Sequence, residues 1–242
     1  MQLFIIRHAQ STNNALPDQK NRVQDPPLTE LGLQQADKLA QHLFDGPNFD
    51  PWIDPRSGFG GAVGKTGHEI THLYCSAMHR SLQTAQPVAK VFGIQPEVWL
   101  PIHEHGGIFL EENGREVGYP GMTRAEIQAA FPNYILPEAI TDKGWWLQPG
   151  GETLAAAYGR AIYVAEELRR RARDEADACI ALISHGTFID GLIKALLNQL
   201  PNRQSYFLHY NTAITRADFD ANGRMIIRHT NRVDHLPDNL IS

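Results

Sequence analysis

Leu3-Phe4-Ile5-Ile6-Arg7-His8 and Ile180-Ala181-Leu182-Ile183-Ser184-His185-Gly186-Thr187 share one grammar: a short apolar run, partly β-branched, that stops at a histidine. Such runs read as buried strands of a parallel sheet. Ligands of open α/β sheets bind beyond the carboxyl ends of the strands, so the two histidines are expected to meet over one pocket. Ile70-Thr71-His72-Leu73-Tyr74-Cys75 reads as a third strand, followed by Ser76-Ala77-Met78-His79-Arg80-Ser81 and a helical stretch. That segment delivers Arg80 to the same edge. Arg7, His8, Arg80 and His185 then form a small cationic hollow, to which the helix after Gly186 adds free backbone N–H groups and a positive dipole end. A phosphoryl group is the guest that suits this chemistry.

Outward from these segments, strands and helices alternate, which predicts an α/β sheet covered by helices on both faces. Thr29 is placed as the N-cap of a helix with Leu33, Ala36, Ala40 and Leu43 on its inner face. Helices are also expected near 79–91, 123–130 and 187–198, and the longest starts near Thr153 with Leu154, Ala157, Ala161, Ala165 and Leu168 at helical spacing. Glu97-Val98-Trp99-Leu100 reads as a strand, and residues 213–219 and 225–229 as a hairpin across Asp220-Ala221-Asn222-Gly223. One domain over 1–242 fits this pattern. Two stretches interrupt it, a Gly/Pro-rich insert at about 45–69 and a weakly periodic one at about 105–151. Long loops inside compact domains are usually functional, and the second leaves the strand edge that carries the site, so it is the expected lid. Trp145-Trp146, Phe131 and Tyr134 read as core, with one tryptophan ring lining the lid as the alternative, because adjacent tryptophans seldom both point inward.

The 242 residues carry a formal charge of −5 and are 42% hydrophobic, ample for a sizeable core. The negative balance argues against general binding to nucleic acid or anionic membranes, and no apolar run approaches the ~18 residues of a membrane span. The N-terminus goes directly into a strand and not into a signal peptide, so a soluble, cytoplasmic protein is expected. Cys75 and Cys179 lie in or beside strands and read as buried, inert thiols.

At this point the residues resemble a known family. Arg7-His8-Ala9-Gln10-Ser11 followed by Asn14 resembles the signature of the histidine phosphatase superfamily, also called phosphoglycerate mutase-like, usually Arg-His-Gly-Glu-Ser/Thr with Asn six places after the His. Asp25-Pro26-Pro27-Leu28-Thr29-Glu30-Leu31-Gly32 resembles its Asp-x-Pro-Leu-Thr-x-x-Gly motif, and Ser76 to Ala85 its Ser-x-x-x-Arg-x-x-Gln-Thr-Ala segment. Gly150-Gly151-Glu152-Thr153 and Ser184-His185-Gly186 match later motifs, all in family order. A single histidine after a strand is more often a hydrogen-bonded core residue than a nucleophile; joint occurrence changes that reading.

The resemblance implies a three-layer α/β/α sandwich with a mostly parallel sheet, and roles that fit the hollow. His8 becomes the nucleophile that forms a phosphohistidine, and Arg7, Arg80, His185, Asn14 and Gly186 bind the phosphoryl group. Glu104 matches the family's general acid/base, with Glu111 and Glu112 as alternatives in the following segment. No metal or other cofactor is implied, and the expected partner is a small phosphorylated substrate. Two positions depart from the pattern: Ala9 replaces a Gly and must be tolerated beside the phosphate, and Gln10 replaces a Glu.

Other signals are weaker. Gly64-Lys65-Thr66 lacks the earlier Gly of a nucleotide loop, since that position is Phe59. His103-Glu104-His105 lacks a further spaced ligand pair for metal. Glu152 reads as a helix N-terminal charge, and Arg169-Arg170-Arg171-Ala172-Arg173 as a solvated helix end. The expected activity is phosphomonoester hydrolysis. A phosphoglycerate mutase is the alternative within the family, although 131–151 lacks an Arg-Arg pair, and a phosphate-binding module without turnover is the alternative outside it.

Overall fold

The period-two alternation of the strands divides the core into two layers. The computed structural model describes residues 1–47, 66–220 and 222–242, so most of the Gly/Pro-rich insert and Gly64-Lys65 lie outside the described residues. The central sheet contains β1 (Gln2–Arg7), β2 (His72–Cys75), β3 (Glu97–Val98), β6 (Cys179–Ser184), β7 (Ile214–Phe219) and β8 (Met225–Arg232). Their order is β3-β2-β6-β1-β7-β8. The first four run parallel, and β7 and β8 are antiparallel additions at one edge. Phe4, Ile6, Leu73, Cys75, Ala181 and Ile183 face one core layer. Leu3, Ile5, Tyr74, Ile180 and Leu182 face the other.

Helices α1 (Glu30–Asp45) and α2 (His79–Phe92) cover the first layer; α4 (Leu154–Asp174) and α5 (Gly186–Leu196) cover the second. Thr29 caps α1 as expected, accepting the Gly32 N–H. The inner face of α1 runs through Gln35, Ala36, Leu39, Ala40 and Leu43, and Leu33 is 43% exposed. Gly32 is required because a Cβ there would lie 2.1 Å from the Gln10 carbonyl oxygen. Thr153 caps α4, and Ala157, Ala161, Val164, Ala165 and Leu168 form its buried stripe. The strand expected over 97–100 is shorter: Pro101 follows, and Leu100–Ile102 turn as a 3-10 helix. Both cysteines are free and buried, and burial pushes the Cys179 thiol up to about 12.

The weakly periodic stretch contains more structure than one helix. Besides α3 (Arg124–Ala130), it forms a hairpin of β4 (Phe109–Glu112) and β5 (Arg115–Gly118). Asn113 and Gly114 make the turn with φ of 51° and 76°, the left-handed pair that a tight hairpin needs. Of the two readings for the tryptophans, the core one holds and the lid-lining one does not. Trp145 and Trp146 are both 8% exposed and belong to the core, with ring centroids 6.1 Å apart. Their segment is irregular, so strand alternation does not send neighbours to opposite sides. Gly107 accommodates them, since a Cβ there would meet the Trp146 ring at 2.5 Å. Among the described residues no helix is long and apolar enough to cross a membrane.

Candidate active site

Register brings the two histidines together. Arg7 pairs with Ser184 across the parallel β1–β6 contact, so His8 and His185 leave the sheet at one level. Their ring centroids lie 4.9 Å apart. Both are buried, and the N-terminus of α2 adds buried Arg80.

The tautomer of each ring is assigned from its contacts. His8 Nδ1–H donates to the Ala9 carbonyl at 2.6 Å, which leaves the Nε2 lone pair facing Arg80, whose Nε–H lies 3.1 Å away. Burial, Arg80 and Arg7 hold His8 well below the usual imidazole range, so the ring is neutral. Ser76 Oγ accepts the Met78 N–H at 3.3 Å and faces His185 Nε2 at 2.6 Å. With the hydroxyl proton given to Nε2, His185 Nδ1 carries its ring hydrogen. Burial and then Arg80 hold His185 neutral too.

Arg7 Nη1 donates to the His209 carbonyl at 2.6 Å, anchoring one end of the guanidinium. Arg7 Nε and His185 Nδ1 are buried, and neither makes a hydrogen bond among the described residues. Two buried donors beside a neutral imidazole suit an anionic oxygen guest. No group of three or more His, Cys, Asp or Glu side chains among the described residues is arranged to hold a metal ion.

Glu104 sits at the mouth of this hollow, but its contacts change the expected role of α5. Its Oε1 accepts the N–H groups of His105 at 2.8 Å and Phe188 at 2.9 Å, and Oε2 accepts that of Thr187 at 3.2 Å. The N–H groups expected to be free are therefore capped by a carboxylate, and only Gly186 of the first turn remains beside Arg7, its Cβ direction 3.6 Å from Arg7 Nε. Asn14 is exposed, and its Oδ1 accepts from Ser11 N at 3.1 Å and from Asn211 Nδ2 at 3.4 Å. Glu111 and Glu112 lie on β4. They line, with Arg80, Glu104 and Thr187, a cleft of about 950 Å³ outside the hollow.

The departures from the family pattern have local explanations. Ala9 is fully buried and packs with Leu28 and Ala36, away from the hollow. The Gln10 side chain accepts the Thr29 hydroxyl at 2.8 Å and ties the loop to α1. Glu152 is bound by Arg160. Arg169 and Arg170 serve the helix surface, the former reaching the Leu196 carbonyl and the latter Glu167 and Asp174.

Sequence reasoning missed the supporting residues. Asp25 accepts the His79 N–H at 3.0 Å and stands 3.9 Å from Arg80 Nη1, with both side chains 10% exposed. Burial raises its carboxyl to about 6. Asn211 donates to the His8 carbonyl at 2.8 Å, and Thr84 Oγ1 accepts the Ala9 N–H at 3.0 Å. The Asp-x-Pro-Leu-Thr motif pointed at Asp25, but only its proximity to Arg80 reveals this contact; no local signal marks Asn211.

The sequence model of the histidine phosphatase superfamily (branch 1) matches residues 3–51 and 62–232. A curated protein of Yersinia enterocolitica named "Probable phosphoglycerate mutase GpmB" is 23% identical over 90% of this chain and 85% of its own length. The solved phosphoserine phosphatase of Entamoeba histolytica, in complex with 3-phosphoglyceric acid, superposes with a TM-score of 0.58 at 21% identity, covering 98% of this chain and 99% of the other. A mycobacterial glucosyl-3-phosphoglycerate phosphatase superposes with a TM-score of 0.55 at 20% identity, over 96% and 99% of the two chains. With a family match that spans most of its residues, this chain belongs to the histidine phosphatase superfamily, branch 1.

Proposed function

We propose that the protein is a metal-independent phosphomonoesterase acting on a small phosphorylated metabolite. His8 Nε2 attacks phosphorus, forming the P–N bond as the ester P–O bond breaks, and Glu104 protonates the departing oxygen. Glu104 then takes a proton from water, whose oxygen displaces His8 and releases phosphate. Arg7, Arg80, His185 and Gly186 hold the phosphoryl oxygens, with Asn14 at the rim. Phosphoryl transfer is largely positioning and charge stabilisation, which this shell supplies. For Glu104 to donate, one of its oxygens releases a backbone N–H at the α5 N-terminus.

The observation that carries the reading is the neutral His8 ring, held through Nδ1 with its Nε2 lone pair against Arg80. His8→Ala is expected to abolish hydrolysis of p-nitrophenyl phosphate with the fold intact by circular dichroism. Wild-type protein quenched without acid during turnover is expected to carry phosphate on His8 by mass analysis. Phosphate on another residue, or on none, overturns the mechanism.

A mutase is the second reading, favoured by the name of the Yersinia enterocolitica relative. A mutase must hold a doubly anionic substrate with added cations. Here Arg124 is committed to the carbonyls of Pro137 and Ile140, and the cleft cations Lys20 and Arg22 are offset by Asp18, Glu111 and Glu112 in the same lining. Interconversion of 2- and 3-phosphoglycerate faster than phosphate release decides for the mutase.

A further inference from the structure

The cleft outside the phosphoryl hollow has walls of opposite charge. One wall is the segment around the 3-10 turn Gln19–Asn21, where the Asp18 side chain accepts the Lys20 N–H at 2.9 Å and Arg22 Nη1 donates to Gln19 Oε1 at 3.0 Å. Lys20 and Arg22 line the cleft together with Asp18, so this wall is cationic on balance, and Arg22 is near enough for its charge to be felt at Arg80. The other wall is the β4–β5 hairpin. There Glu112 receives the Tyr119 hydroxyl, while Glu111 makes no ion pair or side-chain hydrogen bond among the described residues. Lys20 and Arg22 likewise make no ion pair among the described residues, so the walls do not neutralise each other.

The hairpin register supplies a separate observation. Glu111 stands directly opposite Glu116, and like charges in that position destabilise a two-stranded ribbon. Glu116 accepts the Gly151 N–H, but Glu111 gains nothing comparable. A carboxylate kept at a cost, facing a cleft whose other wall is cationic, is a recognition element for a cation.

Resting on the phosphatase reading, we propose that the preferred substrate is a phosphomonoester whose organic part is zwitterionic, its anionic group read by Arg22 with Lys20 and its ammonium group by Glu111. An organic part with only a second anion meets repulsion from Glu111, and one with only a cation meets repulsion from Arg22; both penalties sharpen selectivity. A hydroxy-amino acid phosphate is the simplest member of the class. The cleft volume of about 950 Å³ admits larger ones, since it lies at the upper end of the ~300–1,000 Å³ of ligand pockets.

Four probes separate the two charges: glycerol 3-phosphate has neither, 3-phosphoglycerate only the carboxylate, phosphoethanolamine only the ammonium, and O-phosphoserine both. The wild-type kcat/KM is expected to be highest for O-phosphoserine, by about fivefold or more over each single-charge probe, the scale of one exposed charge pair. Arg22→Gln is expected to erase the gain from the carboxylate, and Glu111→Gln the gain from the ammonium, each leaving the other gain in place. Equal wild-type values, a preference for 3-phosphoglycerate, or a uniform loss on all four probes in Arg22→Gln overturns the proposal. Hydrolysis of p-nitrophenyl phosphate without this ranking defeats the zwitterion alone. If nothing is hydrolysed, the phosphatase reading falls, and the calorimetric Kd values of the four probes still decide this one: the same order supports it and a flat order refutes it.

Discussion

Arg80 donates through Nε to His8 Nε2 over 3.1 Å, so the guanidinium rests on the lone pair that attacks phosphorus. A phosphoryl group must draw Arg80 onto its own oxygens before the imidazole is free. Arg80 thus does two things: it binds charge, and it keeps the neighbouring ring neutral. Arg80→Gln is expected to lower kcat about 10²–10³-fold, the scale of losing one electrostatic donor in an active site. Removing the positive charge also favours imidazolium, so the His8 pKa should rise. NMR titration of the His8 ring checks this; an unchanged or lower value refutes the second role.

Asp25 reaches His8 only through Arg80. Its carboxyl, raised to about 6 by burial, is ionised above that pH and then faces Arg80 Nη1. Asp25→Asn is expected to lower kcat/KM about tenfold at pH 7.5, mainly through KM, consistent with one hydrogen bond to a charged group. The same variant should lose the part of the pH profile centred near 6, because it has no proton to release there. A uniform loss that keeps the wild-type profile would make Asp25 a structural cap of α2 and nothing more.

Metal dependence gives a simple test of the shell. Arg7 and Arg80 supply the positive charge that a divalent ion gives other phosphatases. Turnover of p-nitrophenyl phosphate is expected to survive dialysis against excess chelator within about twofold. Loss of activity that one metal restores defeats the proposed chemistry.

What could be read from the sequence differs by element for physical reasons. The strands ending at His8 and His185 were legible because both sides of the sheet are covered, which makes β1 and β6 nearly uninterrupted apolar runs. The β4–β5 hairpin was not, since Glu111, Glu112, Arg115 and Glu116 are all exposed and erase any alternation; Asn113-Gly114 was the one local cue. Leu33 is apolar but lies off the buried face of α1 and is 43% exposed, so hydrophobicity alone misplaces it. The buried face instead includes Gln35, whose amide bridges Gln10 N and the Leu240 carbonyl, a contact across the whole chain. The capping of α5 by Glu104 has the same long-range character: the residue was identified, and its partners 83 and 84 positions later were not.

Buried histidines make stability depend on acid. His68, His103 and His235 are each lowered to about 3, chiefly by burial. His8 and His185 are lowered as well. In the unfolded chain each titrates near ~6.5, so as pH falls the unfolded state takes up protons first. The contribution of each is complete above ~6.5 and is lost progressively as pH falls, down to about 3 for His68, His103 and His235, at up to ~1.4 kcal/mol per pH unit for each group. Asp25 acts in the opposite sense, because its folded value of about 6 exceeds the unfolded one, typically ~3.9. One carboxyl does not offset five histidines. The Tm is expected to fall steadily between pH 6.5 and 4.5, and a Tm that is flat or rising over that interval contradicts the assignment of neutral buried rings.

The identity of the general acid can be tested by changing the leaving group. Protonation matters most when the departing alcohol is a poor leaving group, since an alkoxide must otherwise form; nitrophenolate departs without help. Glu104→Gln is therefore expected to cost about 10²–10⁴-fold in kcat on an alkyl phosphate and distinctly less on p-nitrophenyl phosphate. The substitution keeps one oxygen to accept from Thr187 or Phe188 and gives up the other contact, so the difference between the two substrates, and not the absolute loss, reports on the proton. Equal losses on the two substrates would mean that Glu104 positions α5 and the phosphoryl group without donating. A differential loss found instead in Glu111→Gln or Glu112→Gln would move the acid onto the hairpin.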